Sequence, residues 1–259
     1  MPLPTHHDVL LDLLRDAGRY AVAHRDTAEA EWKADGSPVT AVDRHLDATL
    51  AAGLVDRFPG VGVCGEEGAR IEGQGTFHVD PVDGTRAYLQ GLAHWGPTVC
   101  LEEDGALVLG AFYMPLLDTY FYAERGRGAW CDGKPVAGPS LQSRVRDRIL
   151  FAPSRIHDAP RGLWRGKVRV LGSAAAHLAL VAAGAGAAAL LPTWSLWDVG
   201  CGVLLITESG GVLSGLDGRP VDVVGGERGL PFLAGAPTAL QDVVAAWTRH
   251  QGVVTNART

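Results

Sequence analysis

The sequence is poor in the residues that build several common kinds of site. Its four cysteines stand far apart, at positions 64, 100, 131 and 201. With no C-x-x-C pair, they argue against a zinc ribbon or a dithiol redox centre and fit free thiols in a reducing cytoplasm. No long basic run offsets the formal charge of −6, so neither a nucleic-acid polymer nor an anionic membrane is the expected partner. Met1–Leu14 lacks a basic opening region and carries acids among its leucines, unlike a signal peptide. Ala174–Leu191 is long and apolar, yet Gly184, Gly186 and His177 interrupt it. It reads as a buried helix running into a buried strand rather than as a membrane span.

What is present is a chain of 259 residues, 47% hydrophobic and 20% charged, enough for one large domain or two tightly packed halves. Apolar residues recur at helical spacing from Asp8 to Ala30. A turn over Lys33-Ala-Asp-Gly-Ser-Pro-Val follows, and Thr40 with Asp43 forms a capping-box variant that opens a second helix ending at Phe58-Pro59-Gly60. Short strands come next, at Val61–Cys64, Thr76–Val79, Thr98–Glu102, Leu107–Tyr113 and Thr119–Ala123, with turns at Glu103-Asp104-Gly105 and Asp132-Gly133. From Lys167 the elements alternate: a strand at Val168–Leu171, a helix from Ser173, a strand at Ala187–Leu191 and a helix from Asp198 to Ser209. The pattern predicts a layered α/β (α+β) fold with two sheets. Its expected boundary lies in the Arg- and Pro-rich stretch Arg144–Arg165, giving halves 1–145 and 146–259 within one compact unit.

Three acidic segments carry the chemistry. Asp80-Pro-Val-Asp-Gly-Thr85 follows an apolar strand, and Pro81 keeps Asp80 extended. Asp83 comes three residues on, after an expected chain reversal, and the free amides of Gly84 and Thr85 suit an anion. Two carboxylates beside an anion nest repel a phosphate unless cations lie between them, which points to Mg²⁺. Glu66 and Glu67 stand at the end of a neighbouring strand. Asp198 opens an apolar helix, where it serves as an N-cap, as a metal ligand, or as both.

Gly65-Glu66-Glu67, Asp80-Pro-Val-Asp-Gly-Thr85 and Trp197-Asp198-Val199, in this order, resemble the inositol monophosphatase family. Lys33–Asp43 and Glu208-Ser-Gly-Gly-Val212 are similar to its flanking segments. The resemblance implies an α-β-α-β-α sandwich of the inositol monophosphatase and fructose-bisphosphatase type, two or three Mg²⁺ ions, and a cytoplasmic homodimer that hydrolyses a small phosphorylated metabolite. Glu66, Asp80 and the Val82 carbonyl resemble the ligands of a first metal, and Asp80, Asp83 and Asp198 those of a second; a third leans on Glu66. Gly84 and Thr85 would hold the phosphate. Glu66, Thr85 and Asp43 would serve catalysis, Asp43 by supporting Thr85 and the attacking water, and Lys33 would sit near the metals on a lid. Within the family the chain could be a phosphatase of inositol, histidinol, 3′-phosphoadenosine-nucleotide or sugar-bisphosphate esters. Outside enzymology, it could be a silent metal-binding scaffold.

The family's acidic substrate contact, seven positions before the Trp-Asp aspartate, is Leu191 here. With Trp194 it offers an apolar wall for a ring, and Ser173, Ala174 and Arg86 are further expected substrate contacts. Trp194 and His177 read equally as packing residues, and Arg86 as a partner for a surface carboxylate. The short, glycine-rich link from Glu66 to Asp80 suggests an open site.

Overall fold

The computed structural model describes residues 6–142, 144–225 and 230–256. Met1–Thr5, at the start of the segment read as unlike a signal peptide, lie outside it. Helix α1 (His6–His24) and helix α2 (Ala41–Arg57) flank a two-stranded hairpin, β1 (Glu31–Trp32) and β2 (Pro38–Val39). The first large sheet comprises β3 (Gly62–Gly65), β4 (Arg70–Ile71), β5 (Thr76–Asp83), β6 (Gly96–Glu103), β7 (Ala106–Met114), β8 (Thr119–Glu124), β9 (Gly128–Cys131) and β10 (Lys134–Pro135). Its order is β10-β9-β8-β7-β6-β5-β3-β4. Short helix α3 (Thr85–Leu89) follows β5. The second sheet comprises β11 (Ile149–Phe151), β12 (Lys167–Arg169), β13 (Ala188–Leu191), β14 (Val212–Gly215) and β15 (Phe232–Gly235), in the order β12-β11-β13-β15-β14. Helices α4 (Ala174–Ala182), α5 (Leu196–Glu208) and α6 (Pro237–Asn256) complete the fold.

Strand alternation sorts the core into layers. In β8, Tyr120 and Tyr122 join Leu10, Leu14, Leu46 and Leu50 from α1 and α2 on one face. The intervening Phe121 and Ala123 pack on the other face with Leu178 and Leu205 from α4 and α5, and with Phe232 of the second sheet. Beyond that sheet, Leu150, Ala188 and Leu233 pack against Leu240 and Val243 of α6. The expected α-β-α-β-α sandwich is the observed architecture. The alanine-rich run resolves into α4 and β13, separated by Gly184 at φ 86°. Among the described residues, no helix is long and apolar enough to cross a membrane.

Several element ends differ from the sequence reading. Helix α1 stops at His24 instead of Ala30 because its last buried contact is Ala21; a 3-10 turn over Arg25–Thr27 leads away. The strand expected at Val168–Leu171 is Lys167–Arg169. No chain reversal separates Asp80 from Asp83: β5 runs through both, and its pairing with β6 shifts register between them. Such a bulge re-aims side chains without ending the strand. The Asp104–Gly105 and Asp132–Gly133 turns form as expected, with positive φ at all four residues.

Candidate metal centre

The cleft begins where β3 and β5 end and α5 starts. Glu66 follows β3, and its amide donates to the Val79 carbonyl at 2.9 Å, which sets it beside Asp80 on the neighbouring parallel strand. Asp80 is buried at the bulge, and its Oδ1 accepts the Val82 amide at 2.8 Å. Asp198 lies in the first turn of α5. It is not the N-cap: Ser195 holds that position, and Asp198 Oδ2 accepts the Ser195 amide at 3.0 Å. One carboxylate oxygen from each of Glu66, Asp80 and Asp198 lies within 4.8 Å of the others. Burial, and then repulsion from neighbouring carboxylates, pushes Asp80 and Asp198 well above the ordinary aspartate range. Three hard oxygen donors, strained by mutual repulsion, fit a divalent cation such as Mg²⁺ or Ca²⁺.

Lys33 supplies the nearest positive charge. Its Nζ donates to Glu66 at 2.7 Å and to Glu67 at 2.5 Å. Burial opposes its charged form, but the two carboxylates outweigh that and hold Lys33 above the usual lysine range. The lysine expected on a lid therefore sits against the acidic cluster, carried by the β1–β2 hairpin.

Asp83 lines the same cleft but reaches in another direction. Its Oδ1 accepts the Ala174 amide at 3.3 Å, and its Oδ2 accepts the Ala175 amide at 2.8 Å and the Ser173 hydroxyl. Ser173 in turn N-caps α4 by accepting the Ala176 amide at 2.9 Å. Burial raises Asp83 to about 6, against the lowering effect of these donors. Ser173 is buried and positions Asp83, whereas Ala174 lines the cleft.

On the opposite side, the Thr85 hydroxyl lies 3.0 Å from Asp43 Oδ1 and 3.2 Å from the Val82 carbonyl. Asp43 Oδ2 accepts the Thr40 amide at 2.9 Å, closing the expected capping box of α2. Burial raises Asp43 above its ordinary value, opposed by Thr40 and Thr85. Gly84 enters α3 at φ 96°, a backbone conformation that favours glycine, with Ser173 and Trp95 crowding the place of a side chain.

The expected substrate wall is elsewhere. Leu191 is 2% exposed in β13, and Trp194 is buried against Phe232, its indole donating to the Leu230 carbonyl at 2.9 Å. Neither lines the cleft, because both side chains fill the core around the second sheet. His177 likewise packs on Phe151, its Nε2 accepting the Leu171 amide at 3.0 Å. Arg86 lines the cleft rim, donates to the Gly36 carbonyl at 2.6 Å and lies 5.3 Å from the Trp32 ring, so it ties down the hairpin that carries Lys33. Away from the carboxylates the cleft, about 490 Å³ in volume, is lined by Gln90, Leu92, Ser154, Val170 and Leu171. No motif announced these residues.

Sequence reading also missed Asp47, whose signal was its place four residues after Asp43 on the same helix. It is 3% exposed and lies behind the Glu66–Glu67 turn.

The chain is similar to known proteins over most of its length. Residues 10–251 match the model described as the inositol monophosphatase family. An inositol-1-monophosphatase from Mesorhizobium japonicum is 34% identical over 236 residues, covering 82% of this chain and 85% of its own. A histidinol-phosphatase from Chlorobaculum parvum is 30% identical over 229 residues, covering 84% and 88%. The solved structure of an IMPase from Thermotoga maritima superposes with a TM-score of 0.82 at 24% identity, covering 93% of this chain and 96% of that one.

Proposed function

Because the chain belongs to the inositol monophosphatase family, and so is a metal-dependent phosphomonoesterase, we propose that its metal is Mg²⁺, two or three ions per site, and that its substrate is a small ester with an apolar or ring-bearing leaving group. The observation that carries the metal assignment is the convergence of Glu66, Asp80 and Asp198 within 4.8 Å at the wall of a cleft. Those three residues and the Val82 carbonyl would hold the metals, with Asp83 joining them by releasing α4. When bound, Mg²⁺ lowers the pKa of the attacking water and neutralises charge on the phosphoryl oxygens.

The chain's own residues supply the rest. Gly84 and Thr85 border the cleft at the start of α3 and would orient the phosphate. Asp43 Oδ1 draws the Thr85 hydroxyl proton towards itself, leaving Thr85 Oγ to accept a hydrogen bond from water in the cleft. As water attacks phosphorus in line, its O–H bond breaks and the proton moves towards the Thr85–Asp43 pair. The bond from phosphorus to the ester oxygen breaks, and that oxygen leaves with a proton from solvent.

Leu92, Val170 and Leu171 support the leaving-group reading, since they give the outer cleft an apolar surface beside the polar side chains of Ser37, Arg86, Gln90 and Ser154. A polyol finds few acceptors there. The four cysteines are free, which supports a reducing, cytoplasmic setting, and the family resemblance supports a homodimer.

Phosphate release from a panel of esters, with Mg²⁺ and after chelation, tests the proposal. Release that depends on Mg²⁺ is expected. Undiminished turnover after exhaustive chelation, or no release from any ester, would overturn it.

A further inference from the structure

Helix α2 carries two buried carboxylates one turn apart, Asp43 and Asp47. Residues four apart on a helix share a face. Asp43 turns towards Thr85, whereas Asp47 turns towards the segment that holds Glu66. Asp47 Oδ2 accepts the Ala69 amide at 2.7 Å. Its Oδ1 is buried without a hydrogen-bond partner, in the space that a side chain at Gly65 would fill; a Cβ there would lie 2.0 Å from it. The segment is closed by the Gly65 amide donating to the Ala69 carbonyl at 2.8 Å and by Arg70 Nη1 donating to the Gly65 and Ala69 carbonyls. Glu66 and Glu67 are thus the crest of a tight turn whose two feet, Gly65 and Ala69, both rest on one aspartate.

We infer that Asp47 is a positioning residue for metal binding: by seating Gly65 and Ala69 on α2, it fixes Glu66 opposite Asp80 and Asp198, at a set distance from the Asp43–Thr85 pair. This rests on Glu66 being a metal ligand. A buried carboxylate kept beside other acids costs stability unless it serves an arrangement, and the glycine at 65 is the space that makes this one fit. One rigid helix then sets both halves of the site. Outer partners of metal ligands change metal affinity without touching the ion.

The test is calorimetric titration of Mg²⁺ into folded protein, with the fold checked by circular dichroism and Mg²⁺-dependent kinetics run in parallel. Asp47→Ala is expected to weaken Mg²⁺ about 10-fold or more. Asp47→Asn keeps an acceptor for Ala69 and should stay close to wild type. In kinetics, Asp47→Ala should raise the Mg²⁺ requirement while leaving kcat at saturating Mg²⁺ largely intact. Should Asp47→Ala fail to fold, Gly65→Ala, which drives a methyl onto the carboxylate, takes its place with the same expected loss. Wild-type Mg²⁺ affinity in the folded Asp47→Ala or Gly65→Ala protein would overturn the inference. Glu66→Gln separates the two levels: if it too binds Mg²⁺ normally, the assignment of Glu66 falls; if it alone loses affinity, only the role of Asp47 falls.

Discussion

Asp43 Oδ1 and the Thr85 hydroxyl meet at 3.0 Å across 42 positions of sequence, joining the first turn of α2 to the first residue of α3. Asp43 also closes the capping box at Thr40, so a single carboxylate caps the start of a helix and orients a cleft hydroxyl.

Thr85→Val should therefore lower kcat by about 10²-fold or more, in the range of lost proton-transfer assistance, while Mg²⁺ affinity stays near wild type. Steady-state kinetics with Mg²⁺ titration checks it. Near-normal kcat would remove Thr85 from the mechanism.

Removing the Lys33 charge should strengthen Mg²⁺ binding and weaken the metal-free protein. Lys33 Nζ pairs with Glu66 and Glu67, so it competes with a cation for the same carboxylates. Lys33→Met is expected to lower the metal-free Tm and to increase the Tm gained on adding Mg²⁺. An unchanged Mg²⁺-induced gain would show that the lysine does not compete.

The metal-free protein should lose stability as pH rises from 4 to 6. Asp83 is raised from 3.8 to about 6 in the folded chain, and Asp80 and Asp198 are raised as well. Across this window the folded state holds more protons than the unfolded state, so unfolding free energy falls with pH. Contributions of this kind are largest below the unfolded value and vanish through the folded one. Buried His177, lowered to about 4, acts oppositely, since protonation of the unfolded chain below about 6.5 opposes folding. The raised carboxylates, which also include Asp43, Asp47 and Glu67, outnumber one histidine, so the net slope is expected to be negative. Tm in chelator across this range checks the sign, and His177→Gln should steepen the fall.

Outer-cleft residues should set substrate preference. Val170→Asp or Leu92→Asp is expected to reduce kcat/KM for a ring-bearing ester relative to a polyol phosphate, because a charge then faces the ring. Leu191→Glu should instead destabilise the fold, since the position is 2% exposed and a buried, unpaired carboxylate is costly. Comparing the ratio of the two kcat/KM values across these variants checks both statements. A ratio that shifts only in Leu191→Glu would return specificity to that position.

The sequence by itself determined the layered fold, the hairpin turns, the capping box and the places of Glu66 at a strand end and Asp198 at a helix start. These follow from local rules: apolar periodicity, turn chemistry and the short reach of a capping side chain. Tertiary structure alone decided where each carboxylate points. The β5 bulge replaces an expected reversal and turns Asp83 towards the start of α4, a choice made by amides 91 and 92 positions away. Leu191 and Trp194 went to the core because the second sheet buries that end of β13, and no local pattern reveals which side of a strand end will be covered. Asp47 has the spelling of a solvated helix residue; only the packing of the Gly65 turn onto α2 makes it part of the site.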